Sequence, residues 1–303
     1  MRLRQPGKVH DRLWFLGHEG SCVYLLEGSR GSLLISGGIN AIVPDILEQF
    51  SRFGIDENRI RGLLVLHSHF DHVGIVPFFK RRHPGMTVYA AARALDIFQK
   101  PKAIAAINDA SRYILKNQGV EHLSADYDLE WRVGMAGEAV GEGAQIDLGD
   151  LEVRIIEIPG HSPCSIAAYV PELKALFPSD GGGIPFRDGI NVYGTSDYSR
   201  FQESLQKLKY LEVDYLCADH HGYVTGEEAG AFIARAIDLA AQKRERMEEA
   251  YRRHGSVELA AEELAHQFGA DNADNIVPPE VFVESYRQMI MHIAGLKLAA
   301  VPR

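Results

Sequence analysis

Short apolar runs alternate with amphipathic ones along the first two-thirds of the chain. Residues 12–16 (RLWFL), 22–27 (CVYLLE) and 32–36 (SLLIS) are β-rich and apolar, divided by Gly17, Gly20, Gly28 and Gly31, which predicts hairpins. Residues 44–53 predict a helix, with Pro44 in its first turn, Ile46, Leu47 and Phe50 on one face, and Gly54 closing it. GLLVL (62–66) is a continuous apolar strand with no face left for water. A helix over roughly 74–82, a strand over 86–90 and a longer helical stretch over 92–118, broken at Pro101, follow. The glycine-rich section 134–150 gives way to strands at 151–158, 166–170 and 174–177. Residues 184–197 predict an irregular loop, then a helix at 198–210 and a strand at 213–218.

After residue 224 the pattern is helical only. Thr225 with Glu228 predicts a capping-box start for a helix running to about 253, with Gly255 as its stop. Ser256 caps a second helix ending near Phe268. Pro278 and Pro279 precede a third, over 280–298, with apolar positions Val281, Tyr286, Met289, Ile293 and Leu296. The chain therefore divides into an α/β domain (1–224) and an all-helical C-terminal extension (225–303).

Composition narrows the function classes. The 41 acidic against 32 basic residues give a formal net charge of −9, which argues against a nucleic-acid partner. No apolar run approaches the roughly 20 residues a bilayer requires, so no membrane contact is expected. The first residues carry no apolar signal segment, and the expected location is cytoplasmic. Cys22, Cys164 and Cys217 have no paired spacing and read as buried thiols.

The chemistry is concentrated in LLVLHSHFDHVG, residues 63–74. An apolar strand ends, and His67, His69, Asp71 and His72 fall within six residues. Imidazole and carboxylate are the ligand types that hold zinc, iron and manganese. His67 and His69, two apart, project the same way and can clamp one ion; the turn at Phe70 redirects Asp71 and His72 toward a second. Further ligands are expected at other strand ends, because sites in α/β layers form at one edge of the sheet. His161 follows a strand and a Pro-Gly turn, Asp180 follows KALFPS, and His221 follows VDYLCAD and precedes Gly222.

HSHFDH resembles the His-x-His-x-Asp-His motif of the metallo-β-lactamase superfamily, with His161, Asp180 and His221 in that family's order, over residues 12 to 224. The resemblance implies a four-layer αββα sandwich with two metal ions on its edge: one on His67, His69 and His161, the other on Asp71, His72 and His221, with Asp180 bridging. Within the superfamily, the Gly37–Gly38 pair, FQESLQKL (201–208) and VESYRQMI (283–290) resemble the quinolone-signal-response thioesterases. That similarity implies a helical tail that folds over the site as a lid and lines a small substrate tunnel, and it adds iron as a candidate beside zinc. Two positions depart from the pattern. Ser36 stands where many members carry an aspartate that buttresses the motif loop. His220 and His221 are adjacent, so either can be the last ligand; the residue directly before Gly222 selects His221.

The function expected on this basis is metal-dependent hydrolysis of a small ester-like substrate. Two ions sharing a water hold it as hydroxide near neutral pH, one ion polarises the oxygen that turns negative, and Asp71 orients the nucleophile. An Asp180 bridge points away from β-lactams and toward thioesters, then lactones or phosphodiesters. Glutathione thioesters are disfavoured by the lack of a matching basic pattern in the tail. Two other readings compete: a regulatory protein keeping the metal site but acting through a protein partner or as a homodimer, and a flavin-partnered reductase, for which no flavodoxin-like segment follows. His10, His18, His83, His122, His254, His266 and His292 lack metal-type spacing. Tyr193 reads first as a packing residue of its loop, with donation to a substrate oxygen as the alternative; the thioesterase resemblance implies that Ser285 lies near the tunnel; and the mixed-charge run 243–253 predicts a solvated helix face.

Overall fold

The computed structural model describes residues 1–135, 137–271 and 279–295. Two seven-stranded sheets pack face to face. The first runs, in spatial order, Gly7–His10, Leu13–His18, Ser21–Glu27, Ser32–Ile35, Ile60–Leu64, Thr87–Ala91 and Glu138–Val140. Its hairpin-linked half is antiparallel and its last three pairings are parallel. Helices Val43–Phe53 and Val76–Arg82 make two of the crossovers that parallel strands require. The second sheet runs Arg2–Leu3, Tyr223–Thr225, Tyr215–Cys217, Ala175–Phe177, Ile166–Val170, Glu152–Glu157 and Gln145–Asp147. Its one parallel pairing, Ala175–Phe177 with Tyr215–Cys217, is bridged by helix Tyr198–Leu208.

Burial explains the layering. Ser21–Glu27, Ser32–Ile35 and Ile166–Val170 are buried along almost their whole length, as expected for strands covered on both faces. One core joins the sheets to each other and to the helices outside the first sheet, through residues such as Phe15, Tyr24, Phe50, Phe79 and Phe177. A second core lies beneath Tyr198–Leu208 and the helices Glu227–His254, Val257–Asp271 and Pro279–Ile293, with Phe201, Phe232, Met247 and Met289 inside it. The order helix, sheet, sheet, helix is the expected αββα sandwich.

Several local expectations change. The 134–150 section contains two short strands, and the irregular loop expected at 184–197 begins with a hairpin, Ile184–Phe186 with Gly189–Asn191. Each of these strands is only three residues long, too short to show an alternating pattern. The capping box at Thr225 does not form. Thr225 ends a strand, Gly226 (φ 70°) precedes the helix, and Glu228 accepts from Arg2 Nε at 2.7 Å. Gly255 does stop that helix, at φ 63°. Pro278 and Leu296 lie outside the described residues. All three cysteines are buried free thiols, and no described helix is long and apolar enough to cross a membrane.

Close backbone approach fixes the loop that leaves Ile60–Leu64. Gly74 N–H donates to the Gly38 carbonyl at 2.7 Å and Ile75 N–H to Gly37 at 2.9 Å. A Cβ on Gly74 would stand 2.2 Å from Asn40 N and 2.5 Å from the Ile39 carbonyl carbon, both main-chain atoms with no freedom to move aside. Gly74→Ala is therefore expected to cost about 1–3 kcal/mol. Gly85→Ala, where a Cβ meets nothing within 4 Å, is expected to stay within about 0.5 kcal/mol. Denaturant midpoints of the two variants against the parent check the contrast.

Candidate metal centre

The loop after Ile60–Leu64 leaves the middle of the first sheet while still gripped. Val65 N–H donates to Tyr89, and Leu66 carbonyl accepts from Ile166 N–H of the second sheet at 2.9 Å. The chain is thus held by both sheets just before His67. A short helical turn, Phe70–His72, then folds the run back, with His72 N–H on the His69 carbonyl. Trp131, buried and stacked on Phe98, donates its indole N–H to Val73 at 3.0 Å and closes the loop from outside.

The second sheet delivers the other groups from three strand ends. His161 follows Glu152–Glu157 through Pro159 and Gly160, Asp180 sits in the turn after Ala175–Phe177, and His220 follows Tyr215–Cys217. The donors form two adjoining clusters. His69 Nδ1 lies 3.1 Å from His67 Nε2 and 3.2 Å from His161 Nε2. His72 Nε2 lies 3.3 Å from His220 Nε2 and 3.4 Å from Asp71 Oδ2. Asp180 Oδ2 stands between them, 3.3 Å from His72 Nε2 and 3.5 Å from His161 Nε2, with Oδ1 3.8 Å from His220 Nε2. His67, His69 and His161, and separately Asp71, His72 and His220, are each close enough to hold an ion.

His221, expected as the last ligand, is not in this arrangement, and His220 is. His221 adopts φ 64°, which turns its ring away from His72 to pack edge-on against Phe186 at 5.3 Å. Its N–H is tied to Glu19, while His220 Nδ1 lies 2.9 Å from the Gly20 carbonyl. Histidine tolerates a left-handed backbone better than most residues, but both positions are histidine, so residue type does not resolve the adjacent pair.

The outer nitrogens decide what the inner ones present. His161 Nδ1–H donates to the Tyr193 carbonyl at 2.9 Å and His220 Nδ1–H to Gly20. His72 Nδ1–H donates to Asp219 at 2.9 Å. Ser179 Oγ donates to the same Asp219 oxygen and so accepts from His67 Nδ1–H at 3.0 Å. Each acceptor fixes which nitrogen points outward; in His67, His161 and His220 Nε2 is left as a lone pair aimed inward, and His72 Nε2, between Asp71 and Asp180, is open to a proton or a cation. The grouping of His67, His72 and Asp219 is therefore a hydrogen-bonded relay through Ser179 rather than a third ion cage. Neither Asp219 nor Ser179 is singled out by the sequence reading. Ser36, at the position where the family resemblance implies a buttressing aspartate, has a buried hydroxyl without a partner among the described residues, and the support comes from the opposite sheet.

Electrostatics point the same way. Burial, reinforced by the neighbouring imidazoles, pushes His67 well below the usual histidine range; desolvation and then His161 bring His69 to about 4. Burial opposes charge on Asp71 and Asp180, yet His72 and His220 hold both carboxyls below their ordinary range. His72 is raised, since Asp71 and Asp180 outweigh its burial. Two ionised carboxylates among the inner nitrogens favour positive charge at one spot, supplied by a proton on His72 or by a bound cation, and Asp180 Oδ1 is a buried acceptor with no donor among the described residues. The donor set fits divalent cations.

Beside the clusters lies a cavity of about 640 Å³. His69, Asp71, His161, Asp180 and His220 form its floor, and Ile184, Phe186, Tyr193, Phe268, Val281 and Phe282 supply apolar wall. Residues of helix Pro279–Ile293, among them Val281, Phe282 and Ser285, line this cavity. None of the seven histidines without metal-type spacing is among its lining residues.

A two-sheet sandwich with imidazoles and carboxylates converging on its edge defines a metal-dependent hydrolase. The chain belongs to the metallo-beta-lactamase superfamily, whose sequence profile matches residues 16–221. It is 28% identical over 214 residues to a hydroxyacylglutathione hydrolase of Rhodopseudomonas palustris strain HaA2, covering 69% of each chain. A hydroxyacylglutathione hydrolase of Ruegeria pomeroyi is 33% identical over 100 residues, 33% of this chain and 37% of its own. Among solved structures, a metallo-beta-lactamase family protein of Thermus thermophilus shares the fold at a TM-score of 0.67 and 20% identity, covering 95% of each chain. An archaeal superfamily protein from Sulfolobus tokodaii does so at 0.58 and 19%, covering 75% of this chain and 85% of its own.

His220→Ala is expected to lower bound zinc per chain, measured by elemental analysis after dialysis, whereas His221→Ala leaves it unchanged. Asp219→Ala, which releases the His72 and Ser179 partners, is expected to weaken zinc binding by about 10–100-fold in competition with a chromophoric chelator.

Proposed function

We propose that the chain is a two-metal hydrolase of small, uncharged thioesters. His67, His69 and His161 would hold one divalent ion and Asp71, His72 and His220 the other, with Asp180 standing between the two clusters. Zinc and iron both suit this nitrogen and oxygen set, and manganese is compatible with it. The observation that carries the reading is the convergence of the inner nitrogens of five imidazoles with two carboxylates at the floor of an apolar cavity. Bound divalent ions supply Lewis acidity and a water acidified to near neutrality.

The chain's own groups do the rest. Asp71, partly exposed to the cavity, accepts a hydrogen bond from the attacking water and aims it. The Nδ1 acceptors hold four rings in position, so no reorganisation accompanies the reaction. Phe186, Phe268 and Phe282 receive the acyl group and exclude bulk water from the carbonyl. A departing thiolate needs little protonation, which suits a cavity floor in which the relay residues face away from the substrate.

The cavity wall narrows the substrate. Its lining, among the described residues, includes Glu280 and Glu284 and no lysine or arginine. The two carboxylates of a glutathione thioester would find no cationic partner there, and a phosphodiester would meet like charge. The relatives named for hydroxyacylglutathione support thioester cleavage as the reaction; the lining supports a different, uncharged thiol portion.

Zinc- or iron-loaded protein should hydrolyse a neutral aryl or alkyl thioester, with kcat/KM at least about tenfold above that for a glutathione thioester, one decade being about 1.4 kcal/mol. Chelation should abolish the turnover and added metal restore it. Activity on bis-aryl phosphodiesters alone, or turnover unaffected by chelation, would sink the assignment.

A further inference from the structure

Lys243 belongs to helix Glu227–His254, in the mixed-charge run 243–253 expected to form a solvated face. Its ammonium instead turns inward. Nζ stands 3.9 Å from the centre of the Tyr193 ring and 4.7 Å from that of Tyr286, and donates to the Val192 carbonyl at 2.9 Å. Among the described residues no carboxylate contributes to its ionisation, and desolvation alone lowers its pKa, to about 7. The cation is held by two aromatic faces and one carbonyl, an arrangement that favours a desolvated ammonium.

The partners of this ammonium lie on two separate parts of the site. Tyr193 follows the hairpin Ile184–Phe186/Gly189–Asn191, and its carbonyl is the acceptor that aims His161. Tyr286 lies on Pro279–Ile293, the helix whose Val281, Phe282 and Ser285 line the cavity. The Tyr193 hydroxyl is buried with no hydrogen-bond partner among the described residues. Its ring is therefore placed by packing against Phe268, 6.2 Å between centres, and by the cation above its face.

We propose that Lys243 is a positioning residue that couples the seating of the lid helix to the aim of His161, one ammonium serving both through Tyr286 and Tyr193. The proposal rests on the metal-centre reading above. A lid helix lifted from Tyr286's side removes one face of the cage around the ammonium. The remaining contacts then hold the Tyr193 main chain, and with it His161, less firmly.

The test uses the full chain with zinc alone as the ligand. Lys243→Met keeps the length of the side chain and removes the charge, Lys243→Arg keeps a cation, and Tyr286→Leu removes the lid end of the contact. Zinc affinity is read by chelator competition, and lid seating by amide hydrogen exchange over 279–293. Lys243→Met and Tyr286→Leu are expected to weaken zinc binding by about tenfold, the lower end for loss of an outer support, and to speed exchange in the lid. Lys243→Arg should return both toward the parent. Unchanged zinc affinity in Lys243→Met, or in Tyr286→Leu should the former not fold, overturns the coupling, as does an arginine variant that behaves like the methionine one. Failure of the parent protein to take up zinc overturns the metal-centre reading itself and is seen before any variant is compared.

Discussion

Imidazole nitrogens brought within 3.1–3.3 Å of one another repel unless a proton or a cation lies between them. Much of the site's local structure serves to impose that arrangement. Four outer acceptors, the carbonyls of Tyr193 and Gly20, the Asp219 carboxylate and the Ser179 hydroxyl, fix the orientation of four of the five rings, those of His161, His220, His72 and His67. The cost of gathering the lone pairs is met by the fold, through loops pinned at Gly37, Gly38 and Gly74 and a core that buries His67 and His72 almost completely. A cation entering such a cluster finds its ligands already ordered.

The relay through Ser179 and Asp219 shows how the two clusters depend on each other. One carboxylate oxygen accepts from His72 and from Ser179, which in turn accepts from His67. A displacement of Asp219 therefore reaches one ring of each cluster. Asp219 is itself fixed by the strand end of Tyr215–Cys217 and by its carbonyl, which accepts from Cys22 N–H across the sandwich at 2.8 Å. The Tyr24 hydroxyl reaches over the same seam, its one proton shared between the Ala218 and Gly222 carbonyls.

Much of this is legible in the sequence because ligands at strand ends are announced by the strands. The apolar run 62–66 and the density of histidine after it locate the first half of the centre, and the strands before His161 and Asp180 locate two more groups. The choice between His220 and His221 is not legible, since it depends on a left-handed φ that no residue type signals at that position. Asp219 and Ser179 escape notice because an aspartate beside a histidine and a serine before an aspartate have no distinctive spacing. Lys243 is hidden for a related reason: a charge pattern on a helix tells which face repels apolar neighbours, and says nothing of aromatic rings brought over that face from distant segments. The short strands at 138–140, 184–186 and 189–191 carry too few residues for periodicity to speak.

Each cluster draws on both layers of the sandwich: His67, His69, Asp71 and His72 leave the first sheet, and His161, Asp180 and His220 leave the second. A cation held there is a rivet through the two plates. Anything that binds the folded chain and not the unfolded one raises its stability by mass action. Prising the sheets apart would then release any cation so held, and the edge that carries the chemistry would also be the edge along which the molecule is clasped shut.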